Sequence, residues 1–105
     1  MEGATREFLY RVQATRPAML TDGPTDKEAA AVGRHFEYLK GLTEEGVAIL
    51  VGRTLNTDPS CFGIVVFRAG TEDDARRIME ADPAVVAGVM RAELFPFRVA
   101  LVGKG

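Results

Sequence analysis

The residues best suited to acid–base chemistry in this chain are a lone histidine and an aspartate that precedes a proline. His35 is the only histidine in the sequence, and Asp82 stands directly before Pro83. Helical periodicity places each of them on the apolar side of a predicted helix. One inward-facing ionisable group on each of two helices predicts a His–Asp pair in a shared cavity.

The chemistry of such a pair is proton transfer. Imidazole has an ordinary pKa of about 6.5, which lies close to neutrality. A neighbouring carboxylate orients the ring, fixes its tautomer and favours its charged form, whereas burial disfavours that form. We therefore interpret His35 and Asp82 as candidate catalytic residues that act, without a cofactor, on a small cyclic or aromatic compound containing a carbonyl. Proton abstraction, isomerisation, elimination and ring-opening all fit this chemistry.

Two alternatives without catalysis stay open for the same residues. His35 can hydrogen-bond Asp82 only to hold two helices together. An aspartate before a proline is also a common cap or turn residue at a helix end. The protein would then be a non-catalytic module that binds a small molecule, or an interaction partner, through the same pocket.

Tyr38 and Arg53 are the candidate substrate-binding residues. Tyr38 lies one helical turn after His35 and can donate to a substrate oxygen, or pack at the edge of its helix. Arg53 follows a glycine at a strand end and can bind an anionic group, or remain a solvated loop residue. The single cysteine, Cys61, is expected to be a small strand-edge hydrophobe, and one histidine with one carboxylate predicts no metal site.

Two capping patterns predict the helices that would position this pair. A capping box at residues 25–28 begins a helix that is expected to end near Gly46. The apolar stripe of this helix, which includes His35 at its edge, comprises Ala29, Val32, Phe36, Leu39 and Leu42. A second capping pattern at residues 71–74 begins a helix whose inward face is expected to include Asp82.

Four strand-like segments accompany the two helices. They are residues 7–14, 47–52, 62–67 and 90–102. Pro96 interrupts the last segment, which suits an edge strand, while residues 16–24 and 84–88 are expected to form a loop and a turn. The β-α-β-β-α-β order predicts a ferredoxin-like α+β fold, in which both helices cover one face of a four-stranded antiparallel sheet. A single domain is expected to span residues 1–105.

The second face of that sheet is the reason to expect a homodimer. Residues 47–51 and 64–67 are apolar at successive positions, so both of their faces are apolar. Two helices cover only one face of the sheet, and soluble monomers rarely expose a large apolar patch. A second sheet packed against the open face would bury it, with higher homo-oligomers left open.

Composition excludes several other classes of protein. The 105 residues are 47% hydrophobic, the net charge is −2 and the basic residues are dispersed, which argues against nucleic-acid binding. The longest apolar run, residues 84–90, is too short to span a bilayer. The polar start, residues 1–7, does not look like a signal peptide, and a lone cysteine suits a reducing compartment. A cytoplasmic protein that contacts no membrane is expected.

Two segments of the sequence resemble a known family. His35-Phe36-Glu37-Tyr38-Leu39-Lys40-Gly41-Leu42, followed by Glu45-Gly46-Val47-Ala48-Ile49-Leu50-Val51-Gly52, is similar to the YCII-related family of dimeric α/β-barrel proteins, and Ala81-Asp82-Pro83 resembles its second motif. The resemblance extends from Phe8 to Val99 and implies a dimeric α/β barrel with a His–Asp site. Two departures, Gly52-Arg53 and Ala84-Val85-Val86, are expected to alter the pocket wall.

Overall fold

The first strand forms the middle of a four-stranded antiparallel sheet in the computed structural model, which describes residues 6–104. The strands are β1 (Arg6–Ala14), β2 (Ala48–Arg53), β3 (Gly63–Ala69) and β4 (Met90–Phe97). Their order across the sheet is β2-β3-β1-β4, and all three pairings are antiparallel. The predicted ferredoxin-like arrangement is therefore confirmed. Residues 1–5, which make up most of the polar start at residues 1–7, lie outside the described residues.

Four helices accompany the sheet. They are α1 (Ala18–Thr21), α2 (Asp26–Glu44), α3 (Glu72–Glu80) and α4 (Pro83–Val86). The capping box of α2 is present, because the Thr25 hydroxyl accepts from the Glu28 amide at 3.1 Å and the Glu28 carboxylate accepts from the Thr25 amide at 2.8 Å. Gly46 follows the helix with a φ of +79°, in the left-handed region predicted for it. In residues 6–104, no helix combines the length and apolar character that crossing a membrane requires.

The structure corrects three of the predicted boundaries. Residues 18–21, expected within a loop, form α1, because the ring of Pro17 holds its φ at −57°, close to the helical value. Residues 84–86, expected to lie in a turn over residues 84–88, instead belong to α4 (Pro83–Val86). The last strand ends at Phe97 rather than at residue 102.

The second of the two predicted helices, α3, also ends earlier than predicted. Its last residue is Glu80, and Asp82 has the extended values φ −61° and ψ 124°. A residue before proline is disfavoured in the helical region, because the proline ring clashes with its backbone. Asp82 is therefore the N-cap of α4 and not an inward position of α3.

The hydrophobic core lies between the sheet and α2. Phe8, Tyr10 and Val12 alternate along β1 and are buried on the helix side. The Tyr10 ring packs edge-on against Phe67 of β3 with centroids 5.6 Å apart. Full burial of a side chain of this size stabilises the fold by about 1.5–3 kcal/mol. The aromatic side chains of Phe8, Tyr10 and Phe67 form the surface on which the helices pack.

The apolar stripe of α2 is rotated relative to the prediction. Ala31 and Leu39 are buried, His35 lies between them on the same line, and Phe36 is 62% exposed. Residues four apart stack on one face of a helix, whereas the next residue lies about 100° further round. Centring the stripe on His35 therefore turns Phe36 towards solvent.

The opposite face of the sheet, which we call the open face, carries no helix. Strand alternation places Leu9, Val66, Phe95 and Leu50 on it, and Leu50 is 51% exposed. Both faces of β2 and β3 thus carry apolar residues, as their composition predicts, while the open face also carries the Arg11–Glu93 ion pair of β1 and β4. β4 pairs with β1 alone and carries Pro96, so it is an edge strand of this sheet.

An ion pair holds the segment that contains α1. The Arg16 guanidinium donates to both carboxylate oxygens of Glu28, at 2.8 and 2.6 Å, and also to the Gly23 carbonyl at 3.2 Å. The hydrogen bond from Arg16, followed by that from the Thr25 amide, lowers the pKa of Glu28 from 4.5 to about 2. Glu28 therefore fastens this segment to α2 while it completes the helix cap.

This ion pair gives stability that depends on pH. A carboxyl whose pKa is lower in the folded protein stabilises it above the unfolded pKa, about 4.3, and that stabilisation is lost as the pH falls towards 2. We expect Glu28→Gln to flatten the dependence of unfolding free energy on pH between 5 and 2, as measured by urea denaturation. Glu37→Gln on the exposed face of α2 is the matched control and should keep the original slope. An equally steep decline in Glu28→Gln would contradict the assignment.

Candidate active site

The His35 ring and the Asp82 carboxylate are in direct contact. Nδ1 of His35 lies 2.8 Å from both Oδ1 and Oδ2 of Asp82. The His35 side chain is 13% exposed, whereas the Asp82 side chain is completely buried. The structure thus brings together the two residues singled out from the sequence, one from the middle of α2 and the other from the cap of α4.

Two further donors hold the Asp82 carboxylate. The Tyr10 hydroxyl donates to Oδ2 at 2.7 Å, and the Ala84 amide donates to Oδ1 at 3.0 Å. Burial, and then the negative charge of Asp82, raises the pKa of Tyr10, so its hydroxyl remains a protonated donor. Asp82 consequently fulfils both roles considered for it, as a helix cap and as the partner of the histidine.

This arrangement determines the tautomer of the neutral His35 ring. An ionised carboxylate only accepts hydrogen bonds, so the nitrogen that faces Asp82 carries the proton. Nε2 then has a free lone pair. Within residues 6–104, Nε2 makes no hydrogen bond to another residue. The ring is therefore oriented as a general base requires, with one nitrogen anchored and the other available.

His35 borders a cavity of about 340 Å³ between the sheet and α2. Most of the wall is apolar and includes Val12, Met19, Leu20, Val32, Leu39 and Val65. Asp82 does not line it, so the pair meets the cavity through the imidazole alone. A volume of this order lies at the lower end of small-molecule sites, which suits a compound of about one ring.

Arg53 and Tyr38 lie in different surroundings. Arg53, at the end of β2, lines the same cavity as His35. Tyr38 does not line it, and its hydroxyl donates to the Ile78 carbonyl of α3 at 2.7 Å. Burial, followed by the charge of Asp82, raises the pKa of Tyr38, so this hydroxyl stays protonated. The observed contact of Tyr38 joins two helices.

The two departures from the family pattern also have different positions. Gly52 and Arg53 form part of the cavity wall, as expected. Residues 84–86 form α4 and do not line the cavity of the described chain, so the expectation that they alter its wall is wrong. Ala84 instead contributes its amide to the Asp82 carboxylate.

Sequence reasoning missed Tyr10, Met19 and Leu20 as members of the site. A signal for Tyr10 existed, because a tyrosine in an inward-facing row of a strand needs a partner for its hydroxyl. Met19 and Leu20 belong to α1 and carried no such signal, since their segment was expected to be a loop. They reach the cavity only through the tertiary position of that segment.

Cys61 is the third ionisable residue in the cavity wall, after His35 and Arg53. It is buried, and its thiol lies 3.6 Å from the Thr54 carbonyl oxygen, which it faces as a weak donor. Within residues 6–104, no three histidine, cysteine, aspartate or glutamate side chains cluster closely enough to hold a metal ion. The chemistry offered by the described wall is a base, a cation and an apolar surface.

Comparison with known proteins supports the resemblance in the sequence. Residues 8–98 match the YCII-related domain. The chain belongs to the YCII-related family. No curated protein matches this YCII-related chain.

A solved structure shares the fold of this YCII-related protein. It is 5-chloro-2-hydroxyhydroquinone dehydrochlorinase (TftG) from Burkholderia phenoliruptrix AC1100, in complex with 2,5-dihydroxybenzoquinone. The TM-score is 0.62 with 18% sequence identity, over 87% of this chain and 93% of that chain. At this level of identity the likeness shows a common fold.

The Tyr10–Asp82 hydrogen bond can be tested by removal of one oxygen atom. Tyr10→Phe leaves the buried carboxylate with one donor fewer, so we expect the free energy of unfolding to fall by about 1–3 kcal/mol. Urea denaturation at pH 7 measures this loss. Because His35 is the only histidine, its ring signals in ¹⁵N NMR are unambiguous and should also shift.

Tyr38→Phe is the matched control, since it removes a hydroxyl that bonds a backbone carbonyl rather than Asp82. We expect this variant to leave the His35 ring signals close to those of the unchanged protein. Identical His35 signals in Tyr10→Phe and in the unchanged protein would contradict coupling between Tyr10 and the histidine through Asp82.

Proposed function

We propose that this YCII-related protein is a cofactor-independent enzyme that uses His35 as a general base on a small cyclic or aromatic compound with a carbonyl. The observation that carries this proposal is an imidazole anchored at Nδ1 by a buried carboxylate, with its ring in the wall of an apolar cavity. Such a geometry leaves Nε2 as the proton acceptor. Asp82 orients the ring and stabilises the imidazolium that forms.

The proposed reaction begins with loss of a proton from the substrate to Nε2 of His35. The electron pair left behind moves onto the conjugated carbonyl oxygen, which becomes an enolate. Return of the proton from the imidazolium to another carbon of the substrate gives isomerisation and restores the neutral ring. In elimination, the enolate instead expels a leaving group with its electron pair, and the proton held by the imidazolium passes to solvent. Proton abstraction needs a base beside a cavity that holds the substrate, and the residues described provide both.

The fold neighbour supports this choice of substrate class. TftG is a dehydrochlorinase of 5-chloro-2-hydroxyhydroquinone, and removal of hydrogen chloride is an elimination from a small hydroxylated ring. We therefore propose that this chain acts on a ring compound of comparable size. The proposal assigns Arg53 to substrate binding because it lines the cavity, and it assigns Tyr38 to helix packing because of its contact with Ile78.

The proposed enzyme is a homodimer formed through the open face of the sheet. The apolar side chains Leu9, Leu50, Val66 and Phe95 lie on this face, and no helix of the described chain covers them. A large exposed apolar patch is unusual on a soluble monomer and marks an interaction surface. A second copy of the same face satisfies it with the two-fold symmetry that is commonest among homo-oligomers.

The catalytic role of His35 is tested by two isosteric changes. We expect His35→Gln to lower the turnover rate by about 10²–10⁴-fold, because it removes the base, and Asp82→Asn to cause a smaller loss. The substrates are 5-chloro-2-hydroxyhydroquinone, assayed anaerobically for chloride release, and simple cyclohexenones in D₂O, assayed by NMR for deuterium uptake. Circular dichroism and melting temperature check that each variant is folded.

Glu37→Gln, two positions along the same helix, is the control and should retain full activity. Undiminished turnover in His35→Gln would rule out the proposed mechanism. Saturable binding of these rings by the unchanged protein, with no product from any of them, would instead favour the non-catalytic binding module.

The proposed dimer is tested by placing a charge on the open face. We expect Leu50→Glu to convert the dimer into a monomer, because two carboxylates would face each other across a desolvated interface. Leu55→Glu is the matched control: Leu55 is 80% exposed in the loop after β2, so this variant should remain dimeric. Size-exclusion chromatography with light scattering measures both masses. A monomeric unchanged protein, or a dimeric Leu50→Glu, would refute this interface.

A further inference from the structure

The side chain of Arg53 leaves the backbone of β2 on the helix side of the sheet. Arg53 of β2 is paired with Gly63 of β3, and Gly63 is paired with Val12 of β1. Val12 is buried under the helices, so this row of three residues lies on the face that α2 covers. His35 is on α2 and borders the same cavity. Arg53 therefore belongs to the wall that faces the histidine side of the fold rather than to the open face.

The middle residue of this row has no side chain. A Cβ atom at Gly63 would lie 3.2 Å from Cγ2 of Val12 and 3.6 Å from the Cβ of Arg53. Such a contact with Val12 is tighter than ordinary van der Waals packing. The glycine thus leaves the sheet surface between Val12 and Arg53 open, and the cavity extends over it.

The charges around the cavity are unbalanced. Arg53 is the one residue in the cavity wall with a permanent charge, and no aspartate or glutamate of residues 6–104 lines this cavity. Arg53 also takes part in no ion pair within that described part of the chain. The negative charge of Asp82 lies outside the wall and is already satisfied by three donors. The cavity therefore presents a net positive charge to its contents.

The geometry points to a ring that carries an anionic oxygen as the ligand of this cavity. This inference rests on the proposed function and names its substrate class. Arg53 pairs with the oxyanion, which is an ionised ring hydroxyl or a carboxylate, and the apolar wall covers the ring. Arg53 is exposed to solvent, and a guanidinium binds such oxygens through charge-assisted hydrogen bonds, often two in parallel.

The same placement makes Arg53 a determinant of specificity. An anionic ring gains the contact with Arg53, whereas a neutral ring of equal size would leave the guanidinium without a partner. When His35 removes a proton, the additional negative charge spreads over the conjugated oxygens of the ring. Arg53 then offsets the charge that forms as well as the charge that is already present.

The experiment compares charged and neutral rings of matched size with the full chain. The first pair is 4-nitrophenolate and 4-nitroanisole at pH 8.5, and the second is benzoate and benzamide. Equilibrium dialysis measures the dissociation constant of each ring for the unchanged protein, for Arg53→Gln and for Arg53→Lys. Arg76→Gln is the matched control, because Arg76 pairs with Glu72 on the surface of α3, outside the cavity wall.

We expect the unchanged protein to prefer at least one anion over its neutral counterpart by about tenfold or more, the scale of one charge-assisted hydrogen bond. Arg53→Gln should abolish this preference without changing the binding of neutral rings, Arg53→Lys should retain part of it, and Arg76→Gln should retain it fully. Preference for 4-nitrophenolate identifies a ring oxyanion, and preference for benzoate identifies a carboxylate. Equal binding of charged and neutral rings, an unchanged preference in Arg53→Gln, or no saturable binding would overturn the inference.

His35→Gln separates this inference from the acid–base mechanism. This variant should lose turnover and keep the preference for anions, since the guanidinium is unchanged. Turnover by an unchanged protein without any preference for anions would overturn the role of Arg53 alone. A preference for anions with no loss of turnover in His35→Gln would overturn the mechanism and leave the ligand class supported.

Discussion

A completely buried carboxylate is the constraint on which the rest of this structure depends. A charge removed from water must be satisfied by donors, and Asp82 has them from Tyr10 of β1, His35 of α2 and the Ala84 amide of α4. Three elements that are distant in sequence are thereby held at one point. Loss of one hydrogen-bond donor to a buried charged group typically destabilises a protein by about 1–3 kcal/mol, so this point fixes their relative positions.

The two faces of the sheet divide the remaining tasks. The helix side contains the aromatic core, the His–Asp pair and the cavity. The open face carries no helix and exposes apolar side chains such as Leu50 and Phe95 beside the Arg11–Glu93 ion pair. Strand alternation makes this division possible, because neighbouring residues of one strand serve opposite faces. Leu50 and Val51 of β2 illustrate it, since Leu50 lies opposite Val66 on the open face and Val51 lies opposite Val65 on the face that α2 covers.

The chain belongs to the YCII-related family and shares its fold with TftG. The site needs few polar groups. In the proposed reaction, one imidazole supplies the base, one carboxylate aligns it, and one guanidinium balances charge beside a mostly apolar wall. With so few polar groups, the proposed reaction depends on the orientation of the imidazole, which Tyr10 and the cap of α4 set through Asp82.

Much of this arrangement follows from the sequence by itself. The order of the four strands and the two longer helices, the start and end of α2, the edge position of β4 and the inward position of His35 follow from patterns of residues a few positions apart. The proline ring also restricts its neighbour directly, and a cap role for Asp82 was one of the alternatives that the sequence offered, although the segment it caps was expected to be a turn. Capping and periodicity depend on residues that are close in sequence, so these features can be predicted from the sequence alone.

Only the tertiary structure decided the partners of the site residues. Tyr10 and Asp82 are 72 positions apart, and no local pattern shows that their side chains meet. No local pattern shows that the Tyr38 hydroxyl donates to the Ile78 carbonyl, or that residues of α1 line one side of the cavity. These contacts depend on how preformed elements pack, and ångström-scale differences in packing determine which polar groups come within hydrogen-bonding distance. The sequence determined which groups are available for chemistry, and packing determined which of them face one another.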